Sequence, residues 1–251
     1  MDLGIFETAL PTQDIERTLA FYEGFGFARL DGAVETGTFT IQRGDCRLSL
    51  YQSHLKPDRL QLIFWQGDVV AIAEHLSEQN VAIQAPLKIA EDGGASLMIL
   101  DPDGHPMFFI TMPNLSSAML GPAQRSTVPE MTIGLFELSL VVQDIQRSMR
   151  FYSGLGFRPV SGGIEERRLT MHNRDCRICL YQGHLDPAET QLIFWQGKVA
   201  TTFKACVQAG GVPEPRFENG PMVDEAGHQA GMLRDPDGQL IYLINIPGPT
   251  R

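Results

Sequence analysis

The chain has 251 residues, 43% of them hydrophobic and 20% charged, with a net charge of −10. This ordinary globular composition excludes a mainly disordered chain, and the acidic excess argues against nucleic-acid binding, which depends on lysine and arginine at the phosphates. No apolar run reaches the roughly 18 residues of a membrane helix, and an acid stands near the N-terminus where a signal peptide carries lysine or arginine, so we expect a cytoplasmic protein without nucleic-acid or membrane partners.

Strand and helix signals follow one another in a regular order along the first 111 residues. Alternating hydrophobic residues predict a strand at 6–10, and Asp14 is the predicted N-cap of a helix that Gly24 and Gly26 end. The other predicted strands are residues 28–35, 38–42, 46–51, 61–65, 85–90, 96–100 and 106–111, and a second helix is predicted at 69–79. The order is therefore a strand, a helix and three strands, twice over.

The second half of the chain repeats the first at an offset of 130 residues. The segment 5–27, IFETALPTQDIERTLAFYEGFGF, aligns with 135–157, LFELSLVVQDIQRSMRFYSGLGF. The heptapeptide QLIFWQG is identical at 61–67 and 191–197. A fixed internal period of this kind indicates repeated structural units.

The motif Asp-Pro-Asp-Gly recurs at 101–104 and 235–238, which is an offset of 134. Four extra residues therefore lie in the second copy, and we place them within 210–224. Between the copies, a stretch rich in Pro, Ser and Gly is typical of an exposed connection.

These patterns predict an α+β protein of two tandem domains, residues 1–111 and 133–251, joined by a linker at 112–132. Each domain holds two βαβββ units, so the chain has four. One such unit cannot cover its own sheet, whereas two units side by side form a curved mixed sheet with helices outside and a concave face inside. We call this concave face a cup, and it is a place for a small-molecule ligand.

The repeated helix motif, with Asp-Ile before Phe-Tyr and Gly-Phe, and the closing Asp-Pro-Asp-Gly turn resemble the vicinal oxygen chelate superfamily. This superfamily includes glyoxalase I, bleomycin-resistance proteins, fosfomycin-resistance enzymes and extradiol dioxygenases. The resemblance covers both copies, nearly the whole chain. It implies the fold more strongly than the function, because one fold hosts many activities.

The resemblance also implies where a metal would bind in a metal-dependent member. The family's ligand position on the first strand of a unit holds Glu7 or Glu137 in the first unit of each repeat and Gln61 or Gln191 in the second. The position of the usual closing glutamate holds Phe108 in the first repeat and Tyr242 in the second. The remaining ligand position maps near Ser49 and Cys179. Family metal sites need three or four converging donors, commonly His and carboxylate. We therefore predict that neither cup holds a family-type metal, and we predict no other cofactor.

Other residues are candidates for contacts with an organic ligand. Trp65 and Trp195 should share a face with Gln61 and Gln191, because alternate strand residues point the same way, and an aromatic residue suits a planar ligand. His54 and His184 are equivalent in the two copies and could line the cup mouth. The glutamates are either functional, as a base or an anchor, or structural, with hydrogen bonds to the neighbouring glutamines. The full set of candidate ligand-binding residues is Glu7, His54, Gln61, Trp65, Phe108, Glu137, His184, Gln191, Trp195 and Tyr242.

Three functions remain open from the sequence. The first is a metal-free protein that binds a small organic ligand, as a bleomycin-resistance-like protein does. The second is a divergent metal-dependent lyase, isomerase or dioxygenase, and the third is a protein-interaction module with vestigial cups. Which units pair is also open: they could pair within each repeat, or the first with the fourth. The sequence is compatible with a monomer or a homodimer.

Overall fold

The computed structural model describes residues 1–53, 55, 60–115, 133–183, 185 and 190–246. The candidates His54 and His184, and the predicted linker from residue 116 onward, lie outside these residues. Within the described chain, no helix combines the length and the apolar character needed to cross a membrane.

The first repeat forms the predicted order of elements. Its first βαβββ unit consists of β1 (Gly4–Thr12), α1 (Ile15–Gly24), β2 (Ala28–Ala33), β3 (Thr38–Arg43) and β4 (Cys46–Gln52). Its second unit consists of β5 (Gln61–Gln66), α2 (Val69–Glu78), β6 (Ile83–Ile89), β7 (Ala95–Leu100) and β8 (Pro106–Thr111). Each boundary lies within a few residues of the predicted one.

The second repeat has the same order with one local change. Its elements are β9 (Gly134–Val141), α3 (Ile145–Gly154), β10 (Arg158–Gly163), β11 (Arg168–Asn173), β12 (Cys176–Tyr181), β13 (Gln191–Gln196), α4 (Val199–Gln208), β14 (Val212–Pro213), β15 (Met222–Val223), β16 (Gln229–Arg234) and β17 (Leu240–Asn245). Where the first repeat has β6, the second has the short strands β14 and β15 with a 3₁₀ helix, Pro215–Phe217, between them. The extra residues are therefore accommodated in an interrupted edge of the sheet.

Two mixed sheets result, one from each repeat, which confirms the α+β architecture with four βαβββ units. The order of the first sheet is β2-β3-β4-β1-β5-β8-β7-β6, and that of the second is β10-β11-β12-β9-β13-β17-β16-β14, with β15 also paired to β16. Strands β1 and β5 pair antiparallel, as do β9 and β13. Of the two pairings that the sequence left open, the sheets therefore follow the one within each repeat.

An aspartate caps the start of α1, as the sequence predicts, and aspartates also cap α2 and α3. The side chain of Asp14 accepts a hydrogen bond from the backbone N–H of Arg17, and Asp144 caps α3 in the same way. Asp68 caps α2 through the N–H of Ala71. Such caps satisfy N–H groups that have no partner within the helix.

The chain divides into two compact units, each with parts of both repeats. The first unit comprises Met1–Leu10, Asp58–Pro122 and Leu140–Ala188; the second comprises Pro11–Pro57, Ala123–Ser139 and Glu189–Arg251. Each unit thus contains one Asp-Pro-Asp-Gly turn and the helix that follows the first strand of the other repeat.

Inside the second unit, the turn of the second repeat binds α1 of the first repeat. The hydroxyl of Tyr22 donates to Asp235 Oδ2 at 2.9 Å. Asp237 accepts from the backbone N–H of Gln13 at 2.8 Å and from the hydroxyl of Thr18. We call this contact the second junction.

Inside the first unit, the turn of the first repeat binds α3 of the second repeat. Tyr152 donates to Asp101 Oδ2 at 2.8 Å, and Ser148 donates to Asp103 Oδ2 at 2.7 Å. The backbone N–H of Gln143 donates to Asp103 Oδ1 at 2.9 Å. This is the first junction, and it shows that the two sequence motifs of the repeat are structural partners across repeats.

Candidate functional site

One face of each sheet carries the helices, and the other carries the candidate residues. In the second unit, a β-carbon at Gly231 would lie 2.7 Å from the ring of Phe203 on α4. Gly231 is opposite Leu243, which is beside Phe194, so these residues mark the helix face. We call the opposite side of a sheet its open face.

Strand register places the candidates of the second repeat together on the open face. Glu137 is opposite Ile193, and Ile193 is beside Tyr242. Gln191 lies two residues before Ile193 and therefore points the same way. We call the set Glu137, Gln191, Ile193, Trp195 and Tyr242 the second cluster.

The first repeat builds the equivalent set within the first unit. Glu7 is opposite Ile63, and Ile63 is beside Phe108. On the opposite side of these strands, the ring of Phe64 stacks on that of Phe109 at a centroid distance of 5.3 Å and is tilted against that of Phe6 at 5.4 Å. The set Glu7, Gln61, Ile63, Trp65 and Phe108 is the first cluster.

A buried glutamate is held by a tryptophan in both clusters. The indole Nε1 of Trp65 donates to Glu7 Oε1 at 3.1 Å, and that of Trp195 donates to Glu137 Oε1 at 3.0 Å. The two glutamates are 0% and 2% exposed. The sequence suggested the neighbouring glutamines as structural partners, whereas the structure gives the glutamates an indole N–H donor.

The clusters differ at the positions around this shared pair. Gln61 and Phe108 are half-buried in the first cluster. In the second, Gln191 is buried and Tyr242 is half-buried, and burial raises the pKa of the Tyr242 hydroxyl. The second cluster is thus the more polar of the two.

The residues at the positions of the family's metal ligands do not fit a divalent transition metal. Each cluster offers one carboxylate, which already accepts an indole N–H, and one neutral amide. Phe108 has no donor atom, and the phenol of Tyr242, with its raised pKa, is a poor ligand. Across the residues that the structure describes, no group of three His, Cys, Asp or Glu side chains has the spacing of a metal site.

Two methionines that the sequence analysis missed belong to the same open faces. Met98 is opposite Phe108, and Met232 is opposite Tyr242. Both are half-buried. The alternation of side chains along the predicted strand 96–100, and along the equivalent strand of the second repeat, was the sequence signal that could have placed these methionines on the open face. Methionine adapts its shape to irregular ligands.

The pKa values of the two buried junction aspartates are shifted in opposite directions. Burial raises the pKa of Asp235 to about 6, although backbone N–H groups and Tyr22 oppose this shift. Burial also acts on Asp101, but hydrogen bonds and charge from His105, which lies 2.8 Å away, outweigh it and lower the pKa of Asp101. In both junctions, burial raises the pKa of the tyrosine well above its usual value.

A small cleft of about 210 Å³ lies elsewhere in the second unit. It is lined by Pro11, Thr12, Gln13, Gln52, Ser53, Leu55 and Asp237. These residues adjoin the second junction rather than the second cluster. The cleft is open and includes none of the described candidate residues.

Comparison with known proteins identifies the fold, and a family model matches the first repeat. Residues 4–108 match the model of the Glyoxalase/Bleomycin resistance protein/Dioxygenase superfamily. No curated protein matches the chain. Similar solved structures include the 2,3-dioxygenase LapB from Pseudomonas sp. KL28, with 14% identity and a TM-score of 0.62, covering 98% of this chain and 93% of that one.

Two further structures extend the comparison. The 2,2',3-trihydroxybiphenyl 1,2-dioxygenase from Sphingomonas wittichii strain RW1 is 16% identical, with a TM-score of 0.60 over 98% of this chain and 90% of that one. The Mn(II)-bound glyoxalase from Novosphingobium aromaticivorans is 12% identical, with a TM-score of 0.55 over 96% and 80%. These likenesses show that the same fold extends over both repeats, while the family model matches residues 4–108, within the first repeat.

Proposed function

We propose that the chain binds a small organic ligand at its open-face clusters and does so without a family-type metal. The observation that carries the proposal is the pair of a buried glutamate and a tryptophan indole, present at the same place in both repeats. A buried carboxylate is costly unless it is hydrogen-bonded, so its retention in both repeats favours a role as a ligand anchor.

The surroundings of the glutamates support an organic ligand. Ile63 and Phe108 lie next to Glu7 on the open face of the first sheet, and Ile193 and Tyr242 lie next to Glu137 on that of the second. Apolar and aromatic walls with a few polar groups are typical of small-molecule sites. The side chains at the family's ligand positions supply too few charged donors for a metal-dependent lyase, isomerase or dioxygenase.

Tryptophan fluorescence offers a direct test, because the chain has two tryptophans and each donates to one of the glutamates. Trp65→Phe and Trp195→Phe each leave a single reporter, so a panel of aromatic amines, alcohols and acids can be titrated against each cluster separately. We expect the emission to change for at least one chemical class. Glu7→Gln or Glu137→Gln should weaken that response in its own cluster.

Elemental analysis of protein purified without chelator decides between this proposal and the enzyme hypothesis. Near-stoichiometric zinc, nickel, manganese or iron that disappears in Glu7→Gln or Glu137→Gln would overturn the proposal. Metal-free protein whose emission responds to no compound in the panel would favour the protein-interaction hypothesis instead.

A further inference from the structure

A row of three basic residues crosses the strands β10, β11 and β12 within the first compact unit. Arg158 is opposite His172, and His172 is opposite Arg177. Directly opposite residues of paired strands share a face, so the three side chains stand on one side of these strands. His172 and Arg177 are half-buried, and Arg158 is exposed. We call these three residues the basic row.

The basic row lies on the side of the strands that faces away from α3. Burial, Asp101 and the thiol of Cys176 all raise the pKa of Tyr152 on α3, so Cys176 faces this helix. Arg177 follows Cys176 directly and therefore points to the other side. Strand register places Arg158 and His172 on that side too, which α3 leaves open.

No side chain of the described residues neutralises the basic row. Within the part of the chain that the structure describes, Arg158, His172 and Arg177 have no hydrogen-bond or ion-pair partner for their side chains. The sequences of β10, β11 and β12 contain no Asp or Glu. Like charges at opposite positions of paired strands are destabilising, so an anion bound over the row would stabilise it.

The carboxylates near the turn between β11 and β12 have other partners. Asp175 accepts the backbone N–H of Phe6 at 3.2 Å. Asp2 accepts from the guanidinium of Arg174. These acids therefore stabilise the turn and the first strand of the unit, and the ion pair at the turn uses Arg174 rather than a residue of the basic row.

The first repeat has the same row without the excess of positive charge. Ala28 is opposite Gln42, and Gln42 is opposite Arg47. There, Gln42 Oε1 accepts from Nε of Arg47 at 3.2 Å and from its Nη2 at 3.0 Å. In the second repeat, an imidazole replaces this amide acceptor and a second arginine replaces the alanine. Two substitutions thus convert an arginine that is bonded to its neighbour into an open group of donors.

The donors of the basic row match a phosphoryl group. A guanidinium presents a planar fork of N–H groups that binds two oxygens of a phosphate or carboxylate, and an imidazole donates an N–H in either protonation state. The Cα atoms of the two arginines are two strand spacings apart, about 10 Å, so both side chains can reach an anion over His172. A carboxylate has one charge and two oxygens, whereas a phosphate monoester has nearly two charges and three terminal oxygens.

We propose that the basic row binds the phosphoryl group of a small molecule through Arg158, His172 and Arg177. The half-buried guanidinium of Arg177 makes the forked contact, the imidazole of His172 donates beside it, and Arg158 closes the site from the edge strand. The inference goes beyond the proposed function, because the row uses no residue of either cluster.

Calorimetry on the full chain in a phosphate-free buffer tests the ligand class. The probes are inorganic phosphate, phenyl phosphate and acetate. We expect both phosphates to bind at least about tenfold more tightly than acetate, because they engage one more charged donor. Tighter binding of phenyl phosphate than of inorganic phosphate would identify an ester as the ligand, and equal binding would identify free phosphate; both results support a phosphoryl site.

Variants that give the second repeat the residues of the first locate the site. Arg177→Gln and His172→Gln should each weaken binding of both phosphates by about tenfold or more, and Arg158→Ala by about threefold, because that side chain is exposed. His172→Gln supplies the acceptor that engages Arg47 in the first repeat, so it should also raise the unfolding temperature of the phosphate-free chain. This second readout keeps the test informative if Arg177→Gln folds poorly.

Arg150→Ala is the matched control, since it removes an exposed arginine of α3 in the same unit and should leave phosphate binding unchanged. Four outcomes would overturn the inference: no phosphate binding at millimolar concentration, acetate binding as tight as phosphate binding, phosphate binding that His172→Gln and Arg177→Gln leave unchanged, or an equal loss in Arg150→Ala. None of these would affect the proposed function, which the fluorescence titrations of the two clusters test separately.

Discussion

The two junctions use the same hydrogen-bond pattern in different charge environments. In each, an aspartate of the turn accepts from a buried tyrosine on the helix of the other repeat. Beside Asp101 stands His105, 2.8 Å away, whereas the equivalent position beside Asp235 holds Gln239, whose amide donates to the carbonyl of Thr190. As a result, the pKa of Asp101 is lowered and that of Asp235 is raised to about 6. The substituted neighbour is one cause of this difference; a second is the carboxylate of Asp237, which also raises the pKa of Asp235, whereas Asp103 at the equivalent position pairs with Arg147.

Removing either aspartate should have the largest effect on the free energy of unfolding, and the loss should differ between the two junctions. Asp101→Ala leaves the hydroxyl of Tyr152 and two backbone N–H groups without their acceptor, so we expect a loss of about 3–5 kcal/mol in the free energy of unfolding at pH 7. Asp235→Ala should cost less, because it also removes a carboxylate whose ionisation is unfavourable at that pH. Urea unfolding at pH 7 measures both, and equal losses would contradict the comparison.

The pH dependence of stability should have opposite signs at the two junctions. The pKa of Asp235 is raised by burial to about 6, above its unfolded value of 3.8, so its contribution is fully present below pH 3.8 and is lost as the pH rises through 6. The size of this change is about 3 kcal/mol, at roughly 1.4 kcal/mol per pKa unit. Asparagine at this position cannot ionise, so Asp235→Asn should gain stability relative to the unmodified chain between pH 4.5 and 7.5.

Asp101→Asn is the matched control for that experiment. The pKa of Asp101 is lowered by its contacts with His105 in spite of burial, so its contribution is present above pH 3.8 and is lost as the pH falls through the folded pKa. The variant should therefore be destabilised at neutral pH and approach the unmodified chain in acid. Parallel profiles for the two variants would mean that the junctions are electrostatically alike.

Removing the hydroxyl of either buried tyrosine should lower stability by a smaller amount, and by a similar amount at the two junctions. Tyr22→Phe and Tyr152→Phe each remove one hydroxyl that donates to a carboxylate, so we expect losses of about 1–3 kcal/mol. Tyr22→Phe should also move the pH midpoint associated with Asp235 upward, because the lost hydrogen bond favoured the charged form. Chemical unfolding of both variants from pH 5 to 8 measures the two effects.

Replacing the residue beside Asp101 should have the smallest effect on stability. It tests directly whether His105 causes the difference in pKa between Asp101 and Asp235. His105→Gln gives Asp101 the side chain that stands next to Asp235, so the pKa of Asp101 should rise and stability at pH 7 should fall by about 1 kcal/mol. The acid-induced loss of stability should move to higher pH. If the acid profile does not move, His105 is not the cause of the difference.

Much of this fold is readable from the sequence because its local signals are strong. Asp14, Asp68 and Asp144 precede apolar helical faces and do cap them. Alternation along 61–67 correctly placed Trp65 on the same face as Gln61, and the repeat carried that assignment to the second sheet. These signals act over a few residues, so the sequence contains them directly.

The junctions could not be predicted, because the repeats are alike at the motifs involved. Either Asp-Pro-Asp-Gly turn fits the Phe-Tyr helix of either repeat, and only the path of the chain decides between them. The indole donor to Glu7 escaped prediction for a related reason: Gln61 and Trp65 lie on one face of β5, and side-chain reach rather than alternation selects the tryptophan. Whether the clusters bind a ligand depends also on the chemical structure of that ligand, which the sequence of the chain does not contain.

The reciprocal junctions also record how such a chain could arise. A single repeat has a turn and a helix that find their partners in another copy, which is the relation between subunits of a symmetric homodimer. In such a dimer one gene specifies both contacts, so every substitution appears twice. Joining two copies in one chain removes that constraint. The histidine at 105 and the glutamine at the equivalent position 239 are a difference that a homodimer of one repeat could not keep.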